Sequence, residues 1–121
     1  MRRKIIFLAA LIAALGALTL AAVSKNGSAT EKVIRVKAKK FEFNPSEIVV
    51  KKGELIMLEL TSEDITHGFK LPDFGVRTEV KPGTVSRLRI TPDKTGKFSF
   101  ACDVFCGSGH EDMSGIFVVT D

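Results

Sequence analysis

An all-β sandwich or barrel is the fold class that this sequence predicts. Three observations carry it. Past residue 30, apolar residues alternate with charged ones over short runs. Turn signals rich in Pro and Gly separate those runs, and no long amphipathic helical pattern lies among them.

Ile34, Val36 and Ala38 alternate with Arg35, Lys37 and Lys39, which is period two with one charged face. Ile48-Val49-Val50 predicts a short apolar strand, ended by a turn at Lys51-Lys52-Gly53-Glu54. Leu55 to Leu60 predicts a more deeply buried strand, with Ile56, Leu58 and Leu60 on one face. Lys81-Pro82-Gly83-Thr84 places Pro and then Gly as a type II turn requires. Val85 to Ile90 alternates again, with Arg87 and Arg89 outward. Pro92 to Gly96 turns the chain into a strand at Lys97–Ala101, and Gly115 to Thr120 is the last strand. Two stretches, Asp64 to Asp73 and Ala101 to Ser114, do not read as strands. They hold both His residues, both Cys residues and one Met.

The N-terminal segment has a different character. Met1-Arg2-Arg3-Lys4 precedes an uncharged run from Ile5 to Val23. As a helix that run would span roughly 28 Å, close to the hydrocarbon thickness of a bilayer. Its basic cap predicts that the remainder of the chain sits on the outer face of a bacterial or archaeal plasma membrane, or in the periplasm. Two readings stay open: an uncleaved transmembrane anchor, and a signal peptide cut near Ala22-Val23-Ser24 or Gly27-Ser28-Ala29. The expected organisation is therefore a signal peptide or anchor over 1–23, a linker over 24–32 and one folded domain over 33–121.

Charge narrows the function. The net charge of +4 comes from the N-terminal segment, because Arg2, Arg3, Lys4 and Lys25 face no acid before residue 30. The folded part is balanced, which argues against nucleic acid as a partner. Nine Phe stand beside no Trp or Tyr, and most of those Phe read as core.

The chemistry concentrates in Cys102-Asp-Val-Phe-Cys106-Gly-Ser-Gly-His110-Glu-Asp-Met113. Two thiols, an imidazole and a thioether form a soft donor set, of the kind that selects copper, zinc or iron–sulfur over hard cations. His67 comes after the buried strand, where a loop at one end of a sandwich would bring a second imidazole to the same place. Gly68, Gly107 and Gly109 permit tight backbone paths around it. Plainer readings compete. The cysteines of an exported chain form disulfides by default; Cys₂His₂ suits structural zinc; a single His in a loop is commonly no ligand, and a single Met is commonly core. The disulfide leaves the His and Met spacing unexplained, and zinc leaves Met113 unexplained.

At these residues the sequence resembles a known family. Cys-x₃-Cys-x₃-His-x₂-Met with an upstream His is similar to the CuA domain of cytochrome c oxidase subunit II, a site also found in nitrous oxide reductase. Thr61-Ser-Glu-Asp-Ile-Thr-His-Gly-Phe69, Val80-Lys-Pro-Gly-Thr84 and Gly96-Lys-Phe98 extend the resemblance to single-span forms of that subunit. It covers residues 33 to 120 and implies a cupredoxin-like Greek-key β-sandwich, preceded by one N-terminal apolar helix, with copper at one end. It also implies roles for the residues. Cys102 and Cys106 would bridge two copper ions, His67 would bind one and His110 the other. Met113 would be a weak ligand beside His67, and the Val104 carbonyl a weak ligand beside His110. Glu or Gln usually supplies that carbonyl in the family; Val104 retains the carbonyl and loses the side chain.

The implied function is electron transfer through a dinuclear CuA-type centre, in a subunit II-like component of a terminal oxidase or a freestanding carrier. Its partners would be cytochrome c or another donor, and heme–copper oxidase subunit I. The alternative is a periplasmic metallochaperone holding Cu(I). A full ligand set with no general base predicts no bond-making catalysis by the chain itself. Asp103, Glu111 and Asp112 ring the ligand loop, where acids would steer a basic partner.

Overall fold

The computed structural model of this protein describes residues 30–121, so the expected apolar helix, and with it the signal or anchor reading, lies outside the described residues. Among them, no helix is long and apolar enough to cross a membrane.

Among the described residues, nine strands make two sheets. They are β1 (Lys32–Lys39), β2 (Glu42–Asn44), β3 (Glu47–Lys51), β4 (Ile56–Ser62), β5 (His67–Leu71), β6 (Val76–Val80), β7 (Ser86–Ile90), β8 (Gly96–Ala101) and β9 (Ser114–Thr120). One sheet runs β2-β1-β4-β7 and the other β3-β9-β8-β5-β6. β1 pairs parallel with β4, and β3 parallel with β9. Parallel neighbours need crossovers rather than hairpins, so the chain passes between sheets as a Greek-key cupredoxin-like sandwich.

The alternation in the sequence becomes the two faces of each strand. Val36 and Ala38 are fully buried while Arg35, Lys37 and Lys39 face out. On β4, Ile56, Leu58 and Leu60 are fully buried. This strand lies between β1 and β7, and Met57 on its other face is buried as well. Its one acid, Glu59, faces out between Arg35 at 3.4 Å and Arg87 at 3.5 Å. Gly83 takes φ 80°, as the third position of a type II turn requires.

Phe43, Phe69, Phe100 and Phe117 fill the core between the sheets. Phe43 meets Phe69 and Phe100 edge to face, with centroids 5.7 and 5.4 Å apart, a favourable aromatic geometry. Phe105 departs from the core reading: it is 78% exposed.

Three strands depart from the sequence reading. β5 occupies part of the stretch expected to be non-strand, so His67 heads a strand rather than sitting in a loop. Its sequence, His-Gly-Phe-Lys-Leu, contains a Gly and is short, which hides the period-two signal; pairing with β6 along its whole length holds it extended. β2 and β6 are likewise strands that the alternation did not mark.

Register sets the functional tip. Lys70 on β5 pairs antiparallel with Ala101 on β8, and Ala101 pairs with Ser114 on β9. The start of β5, the end of β8 and the start of β9 therefore lie together. His67, Cys102 and Met113 stand at those strand ends.

Candidate metal centre

The ligand loop leaves β8 at Cys102 and returns to β9 at Met113. Its base is closed by the Cys102 amide, which donates to the Met113 carbonyl at 3.0 Å. A 3-10 turn at His110–Asp112 presents His110 just before the return. Phe41, in the turn between β1 and β2, lies so close over the loop that a Cβ at Gly109 would run into its ring. Gly107, at φ 133°, lies beneath the same ring.

Both cysteines are free thiols, 6% and 4% exposed, with sulfurs 3.8 Å apart. A ring nitrogen of His67 and the two sulfurs all lie within 4.8 Å of one another. His110 stands outside this triangle and approaches through Nδ1, 3.5 Å from Cys106 Sγ. Met113, fully buried, places its sulfur 3.8 Å from Cys106 Sγ. The Cys102 thiol donates to the Val104 carbonyl at 3.1 Å. All six residues singled out from the sequence thus meet at one tip.

The arrangement has the character of a metal site. His67 is fully buried, yet its Nδ1 has no hydrogen-bond partner. An orphaned buried nitrogen is costly unless something binds it. Its other nitrogen, Nε2, lies 2.7 Å from Asp64 Oδ1. Burial would raise the Asp64 carboxyl, but hydrogen bonds from the amides of Lys40 and Ile65 and from His67 outweigh it, holding the carboxyl well below its ordinary range. Asp64 is therefore an ionised carboxylate facing Nε2. In the metal-free protein, burial and then the neighbouring Cys102 thiol push Cys106 up to about 11. A thiol so placed loses its proton to water reluctantly, and a metal cation bound there would displace that proton to solvent.

The loop is strapped down on one side. Arg77 on β6 donates to Asp103 twice, Nε at 2.6 Å and Nη2 at 3.0 Å. This bond to Arg77, working against burial, holds the Asp103 carboxyl below its ordinary range. Asp103 is thereby ionised and paired with Arg77, while Glu111 and Asp112 are exposed on the same loop. Asp103 and Val104 cross directly over Gly68, where a Cβ would run into the Asp103 carboxylate. The Gly68 amide points at Cys102 Sγ, 3.4 Å away, as a donor to a thiolate would.

Sequence reasoning missed Asp64, Arg77 and Phe41. Only Asp64 left a signal, an acid three residues before the buried His.

Comparison with known proteins agrees with this architecture. The family model described as a cupredoxin-like domain matches residues 9–119. Over 81 residues, 67% of this chain, the sequence is 37% identical to two proteins of Thermus thermophilus named cytochrome c oxidase subunit 2. The chain spans 60% and 48% of the length of those two relatives. Among solved structures, a heme-copper terminal oxidase dimer matches with TM-score 0.67 and 29% identity, over 74% of this chain and 65% of that one. An apo copper binding protein matches with TM-score 0.60 and 28% identity, over 74% of this chain and 88% of that one.

Proposed function

The chain belongs to the family of cupredoxin-like domains, and on that premise we propose that it transfers electrons through a dinuclear copper centre. The ligands are the side chains of His67, Cys102, Cys106, His110 and Met113 and the Val104 carbonyl. The observation that carries this reading is the pair of buried thiols 3.8 Å apart, with the orphaned Nδ1 of fully buried His67 beside them.

The donor set suits copper. A single blue copper uses one Cys with two His, whereas here two thiols stand side by side. Copper bound as a pair between them would supply a one-electron carrier whose charge change is shared by two metals. The protein's part is to hold the ligands still. Strand ends fix His67, Cys102 and Met113; the Arg77–Asp103 pair and Phe41 fix the loop between them. A rigid ligand frame keeps reorganisation small, which is what fast electron transfer at small driving force requires. Phe105, exposed with its ring centroid 5.6 Å from that of His110, offers an apolar contact at this tip.

In this reading residues 32–121 form the copper domain. The segment 1–23 delivers it, as signal peptide or anchor, to the outer face of the plasma membrane, with 24–31 as linker, because Lys32, expected in the linker, is already paired with Ile56 in β1. The Thermus relatives named cytochrome c oxidase subunit 2 favour cytochrome c, or another donor, and heme–copper oxidase subunit I as partners.

The likeness to an apo copper binding protein favours a second reading, in which the domain stores or hands on Cu(I). Copper stoichiometry and voltammetry separate the two. Two coppers per chain, cycling reversibly in a coloured protein, support electron transfer. One exchangeable Cu(I) in a colourless protein supports copper handling.

A further inference from the structure

The proposed copper site leaves one buried contact unused. His67 is locked by a residue that donates nothing to the metal. Nε2 lies 2.7 Å from Asp64 Oδ1, and His67 is fully buried. The Asp64 carboxylate is itself fixed: the Ile65 amide donates to Oδ1 at 2.6 Å and the Lys40 amide to Oδ2 at 2.7 Å. The neighbouring segment is tied down as well, because the Ser62 hydroxyl donates to the Ile65 carbonyl.

We propose that Asp64 is the positioning residue of this site: its carboxylate holds the proton on Nε2 of His67, leaves Nδ1 as the nitrogen that binds beside the two cysteine sulfurs, and makes that nitrogen a stronger donor. The inference rests on the copper reading above. A neutral imidazole has one donor and one acceptor nitrogen, and the partner of one decides the role of the other. An anionic acceptor 2.7 Å from Nε2 assigns the proton to Nε2. Negative charge behind the ring then pushes electron density toward Nδ1, which favours the more positively charged, oxidised metal.

The same carboxylate reaches further than the ring. Lys40 precedes Phe41, whose ring lies over Gly107 and Gly109 of the ligand loop. Asp64 therefore ties His67 to the turn that covers the loop carrying Cys106 and His110. One side chain registers the two halves of the ligand set against each other.

The test compares wild type, Asp64→Asn and Asp64→Ala, with His67→Gly as control. Nitrogen NMR of the metal-free protein reads the His67 tautomer; copper affinity and reduction potential are read after loading. Wild type should show a single tautomer with the proton on Nε2. Asp64→Ala removes the acceptor and should give mixed tautomers, with copper binding weakened about ten- to hundredfold. Asp64→Asn keeps an acceptor and removes the charge. It should retain the tautomer, bind copper about tenfold more weakly and show a raised potential. If Asp64→Ala does not fold, Asp64→Asn decides alone. A folded Asp64→Asn with wild-type affinity and potential overturns the inference. When His67→Gly loses the site in the same experiment, that result leaves the copper reading standing. If His67→Gly keeps wild-type affinity and potential, both fall together.

Discussion

The sulfurs of Cys102 and Cys106 stand 3.8 Å apart, nearly twice the length of a disulfide bond, about 2.05 Å. They are held there by different means: Cys102 by the end of β8 and the Gly68 amide, Cys106 by the loop beneath Phe41. Two supports converging on one sulfur pair make each thiol separately testable.

Replacing either sulfur should destroy the site. Cys102→Ser and Cys106→Ser are each expected to lose the dinuclear copper signal, because a hydroxyl does not bridge soft metal ions as a thiolate does. Optical and magnetic spectra of the reconstituted variants check this. An intact purple centre in Cys106→Ser would show the ligand assignment to be wrong.

Met113 should tune the site rather than build it. Its fully buried side chain fills core volume that Leu can also fill, so Met113→Leu should cost less than about 1.5 kcal/mol. Loss of the thioether should leave two coppers bound and shift the reduction potential. Denaturation and voltammetry on the same sample separate the packing role from the ligand role.

Gly68 carries a steric requirement. A methyl group there meets the Asp103 carboxylate and the Val104 side chain, so Gly68→Ala must displace that carboxylate from its pair with Arg77. The expected cost is about 1–3 kcal/mol of stability, together with weaker copper binding. Melting curves with and without copper check both, and unchanged copper affinity would contradict the close packing.

Alkaline pH should weaken the metal-free protein. In the unfolded chain the Cys106 thiol ionises near 9.0, whereas the folded protein keeps the proton to about 11. Between those values the unfolded state binds fewer protons, so stability is full below pH 9 and falls as pH rises toward 11. Cys106→Ser should flatten this dependence relative to wild type, and calorimetry across that range measures the difference.

The donor set was legible because its side chains are rare and closely spaced: both cysteines, one of two histidines and a methionine fall within one loop. The burial of β1, β4 and β7 was legible because one face of each alternates. β5 was not, since a five-residue strand with Gly at its second position shows no period and is held by pairing with β6. Nor was the Arg77–Asp103 pair, which depends on the loop crossing the face of β5 to reach its neighbour. Phe41 escaped for the same reason, as did the Lys40 amide's bond to Asp64, which joins distant turns; the bond from Asp64 to His67 is local, and the acid three residues before the His was its one trace.

Electron paramagnetic resonance of the copper-loaded, oxidised protein tests the central claim most directly. The account predicts one unpaired electron per two coppers, with hyperfine splitting shared equally by both nuclei. A spectrum split by a single copper nucleus would contradict it.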